Sequence, residues 1–102
     1  MTDADGLGRV DDAASDTMIQ IFVKLGRDRR VLRASFRTFG CSACIAASSI
    51  ATELLIGRDT PPDADELDTA LDRLPADKRY CADLVAEAAR RALEATSQLA
   101  SS

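Results

Sequence analysis

A strand pattern stops at Gly40 and a helical pattern starts at Cys41, and this junction limits the possible folds more than any other stretch. Upstream, Ile19, Ile21, Val23 and Leu25 alternate with Met18, Gln20, Phe22 and Lys24, the period-two signal of a half-buried strand. Gly26-Arg27-Asp28-Arg29 reads as a turn. A second alternation follows over residues 31–38, with Leu32, Ala34 and Phe36 on one face and Arg33, Ser35 and Arg37 on the other. The two runs predict an antiparallel hairpin whose apolar face needs helices to cover it. Downstream, residues 42–56 read as a helix closed by Gly57, kept thin by Ala43, Ala46, Ala47, Ser48 and Ala51. A cysteine opening that helix meets unpaired backbone N–H groups and the positive end of the helix dipole, which favours its thiolate.

What the chain lacks narrows its chemistry. It contains no histidine, which removes imidazole metal ligands, Ser-His and Cys-His pairs and the usual general base near neutral pH. Thiolate and carboxylate remain. The formal net charge of −4 and the shortage of aromatics argue against a nucleic-acid footprint. Its 102 residues, 46% of them hydrophobic, suit one domain over 1–102 with a modest core built from Leu, Ile, Val and Ala. Three cysteines, an odd number, and no apolar run resembling a signal peptide or membrane span point to a reducing, cytoplasmic setting without structural disulfides.

Residues 1–14 are rich in Asp, Gly and Ala and read as a mobile arm, with Leu7 and Val10 as a candidate edge segment. After Thr60-Pro61-Pro62, Asp63 and Glu66 make a capping-box-like start to a helix striped by Leu67, Ala70, Leu71 and Leu74 and ended by Pro75. A last helix begins near Cys81, buries Leu84, Val85, Ala88, Ala92 and Leu93, and frays from Thr96. The fold class is α+β, a small antiparallel sheet of two or three strands covered on one side by helices. The acidic series Asp63, Asp65, Glu66, Asp68 and Asp72 reads as helix N-terminal charge and a wet face.

Two cysteine-bearing segments resemble the NifU/IscU-type iron-sulfur cluster assembly scaffolds. Residues 33–41, Arg-Ala-Ser-Phe-Arg-Thr-Phe-Gly-Cys, and then 45–57 are similar to the family's strand, second cluster cysteine and following helix. Residues 74–81, Leu-Pro-Ala-Asp-Lys-Arg-Tyr-Cys, resemble the segment carrying its last cluster cysteine, and 3–10 with Asp16-Thr17-Met18 resemble its N-terminal approach. The resemblance implies a NifU N-terminal-like scaffold or carrier and not an enzyme. Such a protein binds a nascent cluster, expected to be 2Fe-2S, takes sulfur from a cysteine desulfurase and passes the cluster to client apoproteins. Leu74, Pro75 and Lys78 partly fit the motif by which a chaperone recognises some of these scaffolds.

The chain departs from the pattern in two places. Ala14 stands where the first cluster cysteine is expected, and Tyr80 where many members have histidine before the last cysteine. The ligand candidates are therefore Cys41, Cys81, Asp16 and Cys44, three thiolates and a carboxylate, enough for a two-iron cluster or for zinc. Cys44 lies one helical turn after Cys41, on the same side with Cβ atoms about 5–6 Å apart, and reads as ligand, resolving thiol or core filler. Asp16 reads equally as a turn cap before the first strand. Lys78 and Arg79 are solvated charges that also favour an ionised Cys81. Against the scaffold reading stand a cluster-free sulfur acceptor or zinc-bound accessory, a regulatory interaction module, and a thiol-disulfide redox protein suggested by the C-x-x-C of Cys41 and Cys44.

Overall fold

The computed structural model describes residues 4–100. Three strands, β1 (Gly6–Asp12), β2 (Thr17–Leu25) and β3 (Val31–Phe39), are followed by helices α1 (Ser42–Leu55), α2 (Ala64–Ala70) and α3 (Arg79–Ala100), with a 3₁₀ turn, Ala76–Lys78, leading into α3. The sheet is antiparallel in the order β1-β2-β3. β2 is central because its alternation holds throughout: Ile19, Ile21 and Val23 are fully buried beneath the helices. Burying each such side chain contributes about 1.5–3 kcal/mol. The core is completed by Val10 and Val31, by Ala47, Ala51 and Leu55 of α1, by Leu67 of α2 and by Val85, Ala88, Ala89 and Ala92 of α3.

The segment read as an arm, with Leu7 and Val10 as a candidate edge segment, forms a full edge strand. Gly6, Gly8 and Val10 turn inward under α3, leaving Leu7 on the open face. Glycine is required there because α3 passes so close: a Cβ on Gly8 would fall 1.8 Å from the Ala88 carbonyl oxygen. Arg91 closes the edge by donating to the Arg9 carbonyl at 2.8 Å. Residues 1–3 of the expected arm lie outside the described residues.

The second hairpin strand changes phase at its start. Lys24 pairs with Arg33 while Leu25 pairs with Val31, so Leu32 is the extra residue of a bulge. Val31 takes the core position expected for Leu32, which is left 58% exposed. Strict alternation cannot anticipate that slip.

α1 ends where Gly57 was expected to stop it. Gly57 has φ 81° and donates to the Val31 carbonyl at 2.8 Å, tying the helix end to the start of β3. Asp63 caps α2 by accepting from the Glu66 amide at 2.7 Å. This helix stops at Ala70, a turn earlier than its apolar stripe suggests. Asp72 and Arg73 both take positive φ, and the Asp68 carboxylate accepts from the Leu74 amide at 2.7 Å in place of a further helical carbonyl. α3, by contrast, starts earlier and runs further than expected. Thr96 is buried against β1, its hydroxyl donating to the Leu93 carbonyl at 2.6 Å, so the helix continues to Ala100.

Candidate functional site

The ends of β3 and β2 set the first thiol. Phe39 pairs with Met18, and Gly40 then packs so close to Thr17 that a Cβ there would sit 3.2 Å from the Thr17 methyl. The chain turns into α1 with Cys41 as its N-cap residue, in extended conformation at φ −76° and ψ 167°. The Cys41 carbonyl accepts from the Cys44 amide at 3.1 Å and the Ile45 amide at 3.2 Å, which fixes the first turn. Ser48 anchors that turn to the sheet. Its hydroxyl is within 2.8 Å of both the Cys44 carbonyl, to which it donates, and the Thr38 hydroxyl on β3. The sequence signal for this link is a buried serine in an otherwise apolar helix stripe, and sequence reasoning missed it.

The second half of the site comes from α3. Cys81 Sγ lies 3.7 Å from Cys41 Sγ, and Cys44 Sγ lies 3.8 Å from Cys41 Sγ. All three sulfurs are within 4.8 Å of one another. The Tyr80 hydroxyl is 3.8 Å from Cys41 Sγ. No disulfide joins them. Cys41 is partly exposed, whereas Cys44 and Cys81 are fully buried. Phe39 and Ile45, both exposed apolar residues, flank Cys41 in sequence.

Environment divides the thiols electrostatically. Burial pushes the Cys41 thiol up, but the Cys44 amide, the Tyr80 hydroxyl and the neighbouring thiols together hold its sulfur as thiolate and bring it down to about 6. Cys44 is raised by burial and by the two sulfurs beside it. Cys81 is also raised, by burial first and by the Cys41 sulfur. The Tyr80 hydroxyl is raised because it donates to Cys41 and sits beside Cys81.

The expectation that Lys78 and Arg79 keep Cys81 ionised is therefore not met. Helical backbone already begins at the 3₁₀ turn Ala76–Lys78, so Cys81 lies inside the element, where burial outweighs the dipole. Arg79 points to α2 and pairs with Asp65 at 3.4 Å. The structure thus brings Cys41, Cys44 and Cys81 together, but the thiol cluster does not include Asp16. That residue sits exposed in the turn between β1 and β2 at φ 53°, next to Thr17, which borders Gly40. Ala14 is exposed in the same turn.

Fold and site define a small α+β protein with three sulfurs gathered between two helix beginnings, a donor set suited to a soft or borderline metal. Comparison with known proteins supplies the family: residues 1–99 match the NifU-like N terminal domain, and the chain belongs to that family. It is 41% identical over 96 residues to iron-sulfur cluster assembly scaffold protein IscU 1 of Archaeoglobus fulgidus, covering 89% of this chain and 61% of that protein. It is 34% identical over 91 residues to the iron-sulfur cluster assembly enzyme IscU of Drosophila melanogaster, covering 86% and 59%. The iron-sulfur cluster assembly scaffold protein IscU of Rickettsia prowazekii is 30% identical over 91 residues, with 86% and 70% covered. The chain spans less than two thirds of the length of the archaeal and fly relatives.

Proposed function

We propose that this chain is a scaffold or carrier for iron-sulfur cluster assembly, holding a nascent cluster on Cys41, Cys44 and Cys81 and passing it to client apoproteins. One observation carries the reading: sulfurs 40 residues apart in sequence meet at 3.7 Å, with a third at 3.8 Å, at a site whose outermost member is partly exposed. A site that must load and release its cargo needs such an opening, and a closed cage would serve it poorly. The names of its relatives agree with this role.

Asp16 is the candidate for a fourth, carboxylate position, since its turn lies at the Gly40 end of the sheet. Sulfur comes from a cysteine desulfurase in this account. Phe39 and Ile45 beside Cys41 offer apolar contact to a partner chain. A chaperone contact at Leu74, Pro75 and Lys78 is supported by their place in the linker ahead of α3, where Pro75 is exposed. The three free cysteines fit a reducing, cytoplasmic setting. Among the described residues no helix is long and apolar enough to cross a membrane.

A second reading is favoured by the spacing itself. Thiolates bound to one tetrahedral zinc at about 2.3 Å stand about 3.8 Å apart, which matches the observed 3.7 and 3.8 Å. A single ion is thus the occupant that needs the least rearrangement, and a two-iron cluster requires the sulfurs to spread. Two parallel anaerobic incubations, one with ferric iron and inorganic sulfide and one with zinc, separate the two readings. The scaffold reading expects a visible sulfide-to-iron charge-transfer band with iron and sulfide in equal amounts, lost in Cys41→Ser and Cys81→Ser. Tight zinc with no chromophore under the same conditions would replace it with the single-ion reading.

A further inference from the structure

We propose that Cys41 and Cys44 form a built-in reductant for sulfane sulfur: a persulfide placed on Cys41 is released as sulfide when Cys44 Sγ attacks Cys41 Sγ. This deepens the proposed function and rests on its view that the site handles sulfur. The substrate class is a protein or small-molecule persulfide.

Accessibility sets the order of events. Cys41 is the one thiol of the three with solvent exposure, so an incoming donor meets it first, while Cys44 and Cys81 are fully buried. Transfer of the outer sulfur to Cys41 leaves the donor as its thiolate. Cys44 then waits at 3.8 Å, close to sulfur-sulfur contact, in a turn held by the 3.1 Å bond from its own amide to the Cys41 carbonyl. Closing that gap to a bond of about 2.05 Å needs side-chain rotation within one helical turn and no movement of one element against another. Cys81 is as near, at 3.7 Å, but a bond to it would cross-link two separate helices, α1 and α3, instead of closing within one turn. Cys44 is therefore the resolving thiol, and Cys81 stays free beside the released sulfide.

The step balances without a further reagent. The Cys44 thiol forms a bond to Cys41 Sγ, and its proton passes to the departing sulfur. The bond from Cys41 Sγ to the sulfane sulfur breaks, and its electron pair leaves with that sulfur as hydrosulfide. Two cysteine sulfurs are oxidised to a disulfide while the sulfane sulfur gains two electrons. An external dithiol resets the pair for a second round.

The test uses the reduced, metal-stripped chain under argon with one equivalent of glutathione persulfide and no added reductant, followed by rapid desalting. Trapped sulfide is corrected for any glutathionylated Cys41, and unreduced peptides are mapped by mass spectrometry. The wild type is expected to keep no persulfide and to carry a Cys41–Cys44 disulfide in step with sulfide release. Cys44→Ala and Cys44→Ser are expected to retain the extra sulfur on Cys41 and to release sulfide at least about tenfold more slowly. Equal release from the Cys44 variants, a disulfide mapped to Cys41 and Cys81, or a persulfide that persists on wild-type Cys41 would each overturn the proposal. Wild-type mapping requires no variant to fold. Because cluster reconstitution uses inorganic sulfide, the scaffold reading can stand or fall separately.

Discussion

Cys41 should react with disulfides as a thiolate well below neutral pH, and the size of that effect follows from its surroundings. At about 6, against 9.0 for an ordinary cysteine, its thiolate fraction at pH 7 is about 90%, compared with about 1%. Reactivity does not rise by that whole factor of roughly ninety. A thiolate made less basic by three units loses intrinsic nucleophilicity by about fifteen- to thirtyfold at a Brønsted slope of 0.4–0.5, leaving a net gain of about three- to sixfold. Shape is the stronger signature than speed. Initial rates with an aromatic disulfide, resolved by peptide mass between pH 4.5 and 8, should climb steeply to about pH 6 and be nearly flat from 7 to 8. The buried Cys44 and Cys81 thiols, both raised, should contribute little over the same range. A Cys41 rate still rising about tenfold between pH 7 and 8 would show an ordinary thiol and refute this picture of the site.

Tyr80→Phe removes a hydroxyl donor from Cys41 and should move that midpoint upward by about half a unit to one unit, read in the same assay. Gly8→Ala places a methyl group 1.8 Å from the Ala88 oxygen and 2.5 Å from the Ala92 nitrogen, so β1 must leave α3. The expected loss is about 3 kcal/mol or more, seen as a lower urea midpoint. Leu55→Ala empties a fully buried position between α1 and the sheet and should cost about 2–5 kcal/mol in the same measurement, with the Cys41 midpoint unchanged.

Much of this architecture is legible in residue order because the periods are strong. Ile19, Ile21 and Val23 announce the central strand, Gly57 stops α1, and Asp63 with Glu66 starts α2. What escaped has a physical cause in each case. β1 looks like an arm because its inward positions are Gly6 and Gly8, chosen for close approach to α3 and so carrying no hydrophobic signal. The bulge at Leu32 is a register event fixed by pairing with β2, and pairing is not written in one strand. α2 ends early because the Asp68 side chain competes for a backbone amide, a local choice that the apolar stripe conceals.

At the site, residue types and the helix start indicated Cys41 and Cys81, while the convergence with Cys44 depends on how α3 is laid across α1. The same packing reverses the expectation for Cys81, because burial and not the helix end governs its thiol. Thr38 and Ser48 are invisible as a pair until β3 and α1 are docked.

The central claim is that Cys41, Cys44 and Cys81 act together as one metal-binding unit, and cobalt(II) titration of the anaerobic chain tests it most directly. Thiolate-to-cobalt charge transfer grows with each sulfur bound, so three ligands predict a loss of about one third of the band in each of Cys41→Ser, Cys44→Ser and Cys81→Ser. A band left whole by any one of those substitutions would remove that residue from the site and contradict the account.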